Sequence, residues 1–300
     1  MLLASSTFTV SDAGNPLIRK GVDHRWGIYL EPMANWGNLS PTANMVGYRY
    51  KNFGFTLGAD YWVMDNLLVG VNTGYSKTLT GIGGTGGDLN ANIIPFNAYS
   101  SFFVKGFYVN GTLGYTFSNY NMERNVAFGT INRTAKANTS GNQFQAAGET
   151  GYDFKVGNAI VGPTVSLQYA TQTTGGFTES NAGALNLKVA SQTADSLQTG
   201  IGARVSYRAK VGNVTVKPQL AVVWQHEFSN NTRGVDARLA QGSSTMNWRT
   251  DKIGQDFAVV SFALPARVSK NLVAHVGYTA EVGRSKSSNQ GINLGLRYEF

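Results

Sequence analysis

The 300-residue sequence contains no cysteine, seven prolines and only 14% charged residues. The missing cysteine excludes a disulfide framework, a Cys-ligated metal site and a thiol nucleophile. The charge content falls well below the ~25% of soluble domains. Long apolar runs are missing too. Stretches such as Leu220 to Trp224 are far shorter than the ~18 residues a membrane helix needs, so a helical membrane protein is excluded. Mean hydropathy is −0.17 although 42% of residues are hydrophobic. Apolar side chains are therefore spread singly among 36 glycines and many Asn, Thr and Tyr. That distribution belongs to β-structure.

A net charge of +8 and a pI near 9.6 raise the question of nucleic acid. The basic residues are scattered, with Arg19-Lys20 the nearest approach to a cluster, so no nucleic-acid partner is expected. Met1–Ser5 has neither a basic region nor an apolar core long enough for a secretory signal, which an exported form is expected to carry upstream.

The hydrophobic period is two. In Ile292–Phe300 every even position is apolar and every odd one polar or Gly. Val214 to Phe228, Leu197 to Tyr207 and Phe144 to Val156 repeat the alternation. Strands of ten or more residues exceed the globular mode of ~5–6 and match the ~9–11 of a tilted strand crossing a bilayer. Phe257–Val268 is less regular, apolar on both faces and interrupted by Pro265, which predicts a bulge or an inner face packed on a plug.

Short turns at Met64-Asp65-Asn66, Lys105-Gly106, Gly157-Asn158, Val211-Gly212-Asn213 and Ser269-Lys270-Asn271 alternate with longer polar segments. The long ones are Asn38–Asn44, Leu79–Leu89, Met122–Thr139, Gln172–Ala194, Ser229–Asp251 and Arg284–Asn289. Strands are predicted at 25–37, 45–63, 67–80, 89–104, 107–122, 139–156, 159–171, 195–209, 213–228, 254–268, 271–284 and 289–300. The fold class is all-β: a closed, 12-stranded, antiparallel, up-and-down transmembrane barrel, both termini on its short-turn side. Closure removes sheet edges and satisfies every backbone group in lipid.

With the apolar set facing lipid, the lumen receives Glu31, Asp60, Glu149, Asp153, Arg204, Arg208, Lys217, Glu227, Arg267, His275, Glu281 and Arg297. Gly58, Gly70, Gly74, Gly202, Gly277 and Gly295 fall on the same face and leave space there. Twelve strands enclose more volume than the ~8 that side chains can fill, so the interior is a hydrated pore or holds a plug. Residues 1–24 lie outside the strand pattern and form a separate segment able to thread the pore; the barrel is 25–300.

The chain resembles the C-terminal translocator domain of classical monomeric autotransporters, the type V secretion proteins of Gram-negative bacteria. The resemblance is carried by Tyr50–Tyr61, Asp65–Val71 with Gly74-Tyr75-Ser76, Lys217–Leu220, Trp224–Phe228 and Gly291–Phe300. The last also fits an outer-membrane assembly signal: Asn293, Gly295, Tyr298 and Phe300. The resemblance implies a monomer placed in the outer-membrane lipid by the barrel-assembly machinery, termini on the periplasmic side. It further implies an N-terminal passenger reaching the cell surface, with residues 1–24 as its linker in the lumen. No cofactor or metal is implied. Some such families cut their linker at an Asn-Asn pair. The pair here, Asn230-Asn231, falls in a long loop, so self-cleavage of that kind is not expected.

Two other functions fit the residues less well. A porin-like channel for small solutes leaves residues 1–24 unexplained. An outer-membrane hydrolase needs a His within ~3 Å of a nucleophile or carboxylate. His226 falls on the lipid-facing register, His275 inside, and His24 before the first strand. None has a neighbourhood that implies a triad, and no enzyme activity is expected.

Overall fold

The computed structural model describes residues 25–84 and 86–300; the predicted linker, 1–24, with His24, lies outside them. Twelve strands form the wall. The first six are β1 (Trp26–Leu39), β2 (Tyr48–Met64), β3 (Leu67–Ile82), β4 (Gly87–Val104), β5 (Phe107–Phe128) and β6 (Ile131–Tyr152). β6 resumes past Asp153 as β7 (Phe154–Val156), and β8 (Ala159–Thr174) follows. Two short strands then leave the wall, β9 (Phe177–Thr178) and β10 (Leu187–Val189). The wall returns with β11 (Gln192–Tyr207), continued as β12 (Ala209–Val211), and with β13 (Val214–Val216), continued as β14 (Gln219–Glu227). Another off-wall pair, β15 (Gly234–Leu239) and β16 (Thr245–Arg249), precedes β17 (Asp256–Arg267), β18 (Leu272–Val282) and β19 (Ser287–Glu299). Among the described residues there is no α-helix.

Each wall strand pairs antiparallel with its sequence neighbour, and β19 returns to β1. Their register runs from Gly27↔Glu299 to Leu39↔Ser287. At the seam's end Trp26 and Phe300 exchange backbone hydrogen bonds of 3.0 Å in both directions. Glu31 and Pro32 drop out of this ladder, because proline has no N–H to give. The closed all-β barrel of twelve strands is thus the observed fold, and both ends of the wall lie at the short-turn end.

The period-two pattern is visible in exposure. Outward positions carry Phe53, Phe55 and Leu57 on β2 and Ile292, Leu294, Leu296 and Tyr298 on β19, all exposed. On the inward positions of the same two strands, Asn52, Asp60, Arg297 and Glu299 are buried. This inside-out burial is what a wall between lipid and a polar lumen requires.

Three expectations are corrected. Met122–Thr139 is not a loop: β5 and β6 pair without interruption from Phe107↔Tyr152 to Phe128↔Ile131. The outward positions there are polar (Asn121, Glu123, Asn125), which erased the alternation. Val126, Ala135 and Ala137 are nevertheless buried. The segment between β8 and β11 covers them, through Arg124 to Glu179 at 2.8 and 2.6 Å and Arg133 to the Ala182 carbonyl at 2.8 Å. Second, two of the other long segments, Gln172–Ala194 and Ser229–Asp251, combine into a four-stranded sheet ordered β16-β15-β10-β9. Third, Pro265 makes no bulge. The register is the same on either side of the interruption, Val216↔Ala266 and Gln219↔Ala263. In that register Lys217 faces Pro265 and Pro218 faces Leu264; the two prolines lack donors, while the Pro265 carbonyl accepts from Lys217 N at 3.0 Å.

Candidate functional site

The lumen is built where inward positions of neighbouring strands meet. Near the short-turn end, β1–β2–β3–β4 register brings Asp60, Tyr29, Asn72 and Tyr99 beside Arg297 of the closing strand. Arg297 Nη1 donates to Asp60 Oδ2 at 2.6 Å and Nη2 to Oδ1 at 2.5 Å. Tyr99 OH adds a third donor to Asp60 at 2.8 Å. Arg297 Nε also reaches Glu299 at 3.4 Å, and Glu299 accepts both terminal nitrogens of Arg267 at 3.0 Å. The result is a chain of alternating charge, Asp60–Arg297–Glu299–Arg267, across β2, β19 and β17. Buried charges of this kind persist only when paired and hydrogen-bonded.

A second, uncharged chain runs the other way around the wall. Asn72 donates to Tyr29 OH at 3.1 Å, Asn97 to Asn72 at 2.7 Å, Gln145 to Asn97 at 3.0 Å and Gln143 to Gln145 at 3.2 Å. Across the seam Asn293 Nδ2 donates to Glu31 at 2.5 Å and lies 3.2 Å from His275 Nε2, which is 3.8 Å from Glu31 Oε2. On the far side Arg204 grips Asp153 with contacts of 2.8 to 3.0 Å and lies 3.7 Å over the Tyr108 ring. Glu149 stands opposite Asn110 on the adjacent strand pair.

Towards the loops, Glu227 is buried with no ion pair among the described residues. It accepts from Ser196 Oγ at 2.5 Å, Leu197 N at 2.9 Å, Gln198 Nε2 at 2.9 Å and Ser229 N at 2.9 Å. Glu281 pairs with Arg284 at 3.2 Å, and that guanidinium lies 4.4 Å over Phe257. Lys217 is buried at the β13–β14 break. Arg208 departs from its predicted lumen placement: it falls at the β11–β12 break, where Tyr207 and Arg208 are both exposed and the alternation slips. His226 lies on the outer face, between Trp224 and Phe228, with Nδ1 2.8 Å from Asp256.

Space over the inner glycines is not all open. A methyl at Gly58 would lie 2.3 Å from Tyr29 Cζ, and one at Gly295 only 1.9 Å from His275 Cε1. These rings occupy what the bare sequence left vacant. Tyr29 and Tyr99 were the residues missed, because aromatics were assigned to lipid. Parity with Glu31 and Asn97 was the available signal.

Among the described residues the interior holds a cavity of ≈ 580 Å³. It extends from Asp60 and Arg297 past Asn72, Gln145 and His275 to Asn230, Arg233 and Asp251 in the loops. Outside the membrane span the loops are tied by Asp251, which accepts from Asn44 N at 2.8 Å and Nδ2 at 2.6 Å. Hydrogen bonds from Thr42 and Asn44 hold its carboxyl below the usual aspartate range.

An edge-free wall, apolar outside, with charged and polar side chains inside defines an outer-membrane β-barrel. The model of the autotransporter beta-domain family matches residues 28–279, and the chain belongs to that family. Among solved structures, the translocator domain of autotransporter NalP from Neisseria meningitidis is similar at a TM-score of 0.74 and 14% identity, covering 97% of this chain and 92% of that one. The beta domain of the Bordetella autotransporter BrkA follows at 0.64 and 16%, covering 92% of this chain and 100% of that one. An extracellular serine protease of Serratia marcescens is 24% identical over 276 residues, 91% of this chain but 26% of that protein. Outer membrane protein A of Rickettsia rickettsii is 22% identical over 293 residues, 93% of this chain and 13% of its own length. The chain thus spans about a quarter or less of these relatives.

Proposed function

We propose that this domain anchors an N-terminal passenger in the outer membrane and serves its passage to the cell surface, with residues 1–24 occupying the lumen after transport. One observation carries the reading. The wall begins and ends at its short-turn end, where Trp26 meets Phe300, so chain upstream of Arg25 starts at the end of the barrel where Asp60 and Arg297 line a cavity that extends to the loops. With the short turns facing the periplasm, an upstream passenger has a hydrated route outward. The domain's role is conduction and anchoring, with no catalytic step and no cofactor. It acts as a monomer in the lipid, and Asn293, Gly295, Tyr298 and Phe300 on β19 present the signal read by the barrel-assembly machinery.

Planar-bilayer recordings test the occupied lumen. The 300-residue chain is expected to show small or closed currents, and the same barrel without residues 1–24 large steady ones. Equally large open pores in both would favour a porin-like channel and overturn this reading.

A further inference from the structure

The outer wall carries one cationic patch that lumen chemistry does not use. Arg49 and Lys51 on β2 and Lys77 on β3 all face outward and are exposed. Lys51 stands opposite Leu79 and Phe53 opposite Lys77, which makes the two lysines diagonal neighbours on one face, ~7–8 Å apart. Arg49 is the next outward residue beyond Lys51. None of the three has an ion-pair or hydrogen-bond partner among the described residues. The nearest outward carboxylate, Asp88, lies one strand further across Gly81 and forms no ion pair with them.

Their height on the barrel is telling. The outward residues of β2 from Phe53 to Val63 are Phe53, Phe55, Leu57, Ala59, Tyr61 and Val63, eleven residues, the length of one tilted crossing of the hydrocarbon. Lys51 is the first outward residue past that band on the loop side, and Lys77 follows Tyr75 in the same way on β3. Trp36, exposed and paired in register with Lys51, marks the interface beside them. On β4, β5 and β6 the outward residues at this level include Asn90, Asn92, Asn119, Asn121, Asn138 and Ser140, and Lys136 is neutralised by Glu123 at 2.8 Å. Along β2 to β6 at the loop-side level, unpaired positive charge thus falls on β2 and β3, where headgroups meet the wall.

We propose that Arg49, Lys51 and Lys77 bind the phosphate groups of an anionic outer-leaflet lipid whose acyl chains lie along Phe53, Phe55 and Tyr75. Three cations on one flat face suit a headgroup with more than one phosphate. The choice of outer leaflet rests on the orientation proposed above, loops outward; the contact with phosphate does not.

The test uses the folded 300-residue barrel in neutral detergent, with fluorescent diphosphoryl lipid A as probe. Arg49→Ser/Lys51→Ser/Lys77→Ser should bind on the order of a hundredfold more weakly, at about 1 kcal/mol per cation near a charged surface. Dephosphorylated lipid A should bind both proteins equally weakly, and excess inorganic phosphate should compete poorly. Gel mobility of unheated samples confirms that the variant is folded. Equal binding of lipid A by folded variant and parent overturns the proposal, as does full competition by inorganic phosphate. Labelling of Ser243→Cys on intact cells reports orientation separately: a loop reached only in broken cells would refute loops-outward, and with it the outer-leaflet assignment, whatever the detergent result.

Discussion

Asp60 and Arg297 show how much of this wall rests on single side chains. Asp60 is 3% exposed and Arg297 8%, and the pair joins β2 to the closing strand. Asp60→Ala leaves a buried guanidinium facing only Glu299, and loss of about 3–5 kcal/mol is expected for such a broken pair. Replacing both, as Asp60→Leu/Arg297→Met, removes the stranded charge and should cost less than the single change. Urea midpoints of the folded barrel in detergent compare the two; a double variant weaker than Asp60→Ala would refute the pairing argument. Asp251 acts in a different environment, among the loops beyond the membrane span. Its carboxyl is held low by Thr42 and Asn44, so the tie between the loops is present above the ordinary aspartate range and is lost as pH falls through the depressed value. Protection of the Asn44 amide from hydrogen exchange, relative to its intrinsic rate, should be high at neutral pH and fall as Asp251 is protonated in acid. Asp251→Ala should abolish that protection at every pH. Protection that persists in the variant would contradict the assignment.

At the scale of the element, β19 combines lipid face, lumen face and seam in one strand. Tyr298 and Phe300 stack outward with ring centroids 6.1 Å apart, while Gly295 is overlaid by His275. Gly295→Ala should impair folding through the His275 ring, and His275→Ala should restore it. Gly295→Arg and deletion of Phe300 should both impair insertion more than loop substitutions do. Mobility of boiled against unboiled samples reads each; normal insertion of the Arg variant and the deletion would refute the signal proposed on this strand. β19 was also the element most legible in sequence, because from Ile292 on every outward position is apolar and every inward one is not. The β5–β6 hairpin was legible only to Asn121. Beyond it the outward face turns polar at Glu123 and Asn125, and strand pairing is stabilised by Arg124 and Arg133 reaching a segment some fifty residues away, which no local period reveals. The lumen was legible as a set of polar positions but not as contacts. Glu227 satisfied by Ser196, Leu197, Gln198 and Ser229, rather than by a cation, depends on β11–β14 register that the sequence does not print. Arg208 was misplaced because a break shifts parity by one residue.

For the whole molecule, low charge, scattered apolar residues and absent membrane helices reconcile once half of each strand faces lipid and half faces water. The same geometry makes the barrel a conduit: the wall closes at Trp26 and Phe300, and the cavity leads away from that point to the loops. Family membership and the barrel in the outer membrane are established by the beta-domain match, whereas carriage of a passenger is the central claim built on them. A signal peptide and an epitope-tagged, unstructured passenger fused upstream of Met1 test it most directly, with external protease added to intact Gram-negative cells. The account predicts that the tag is digested on intact cells while the folded barrel remains. A tag protected until the outer membrane is broken, above a correctly inserted barrel, would contradict it.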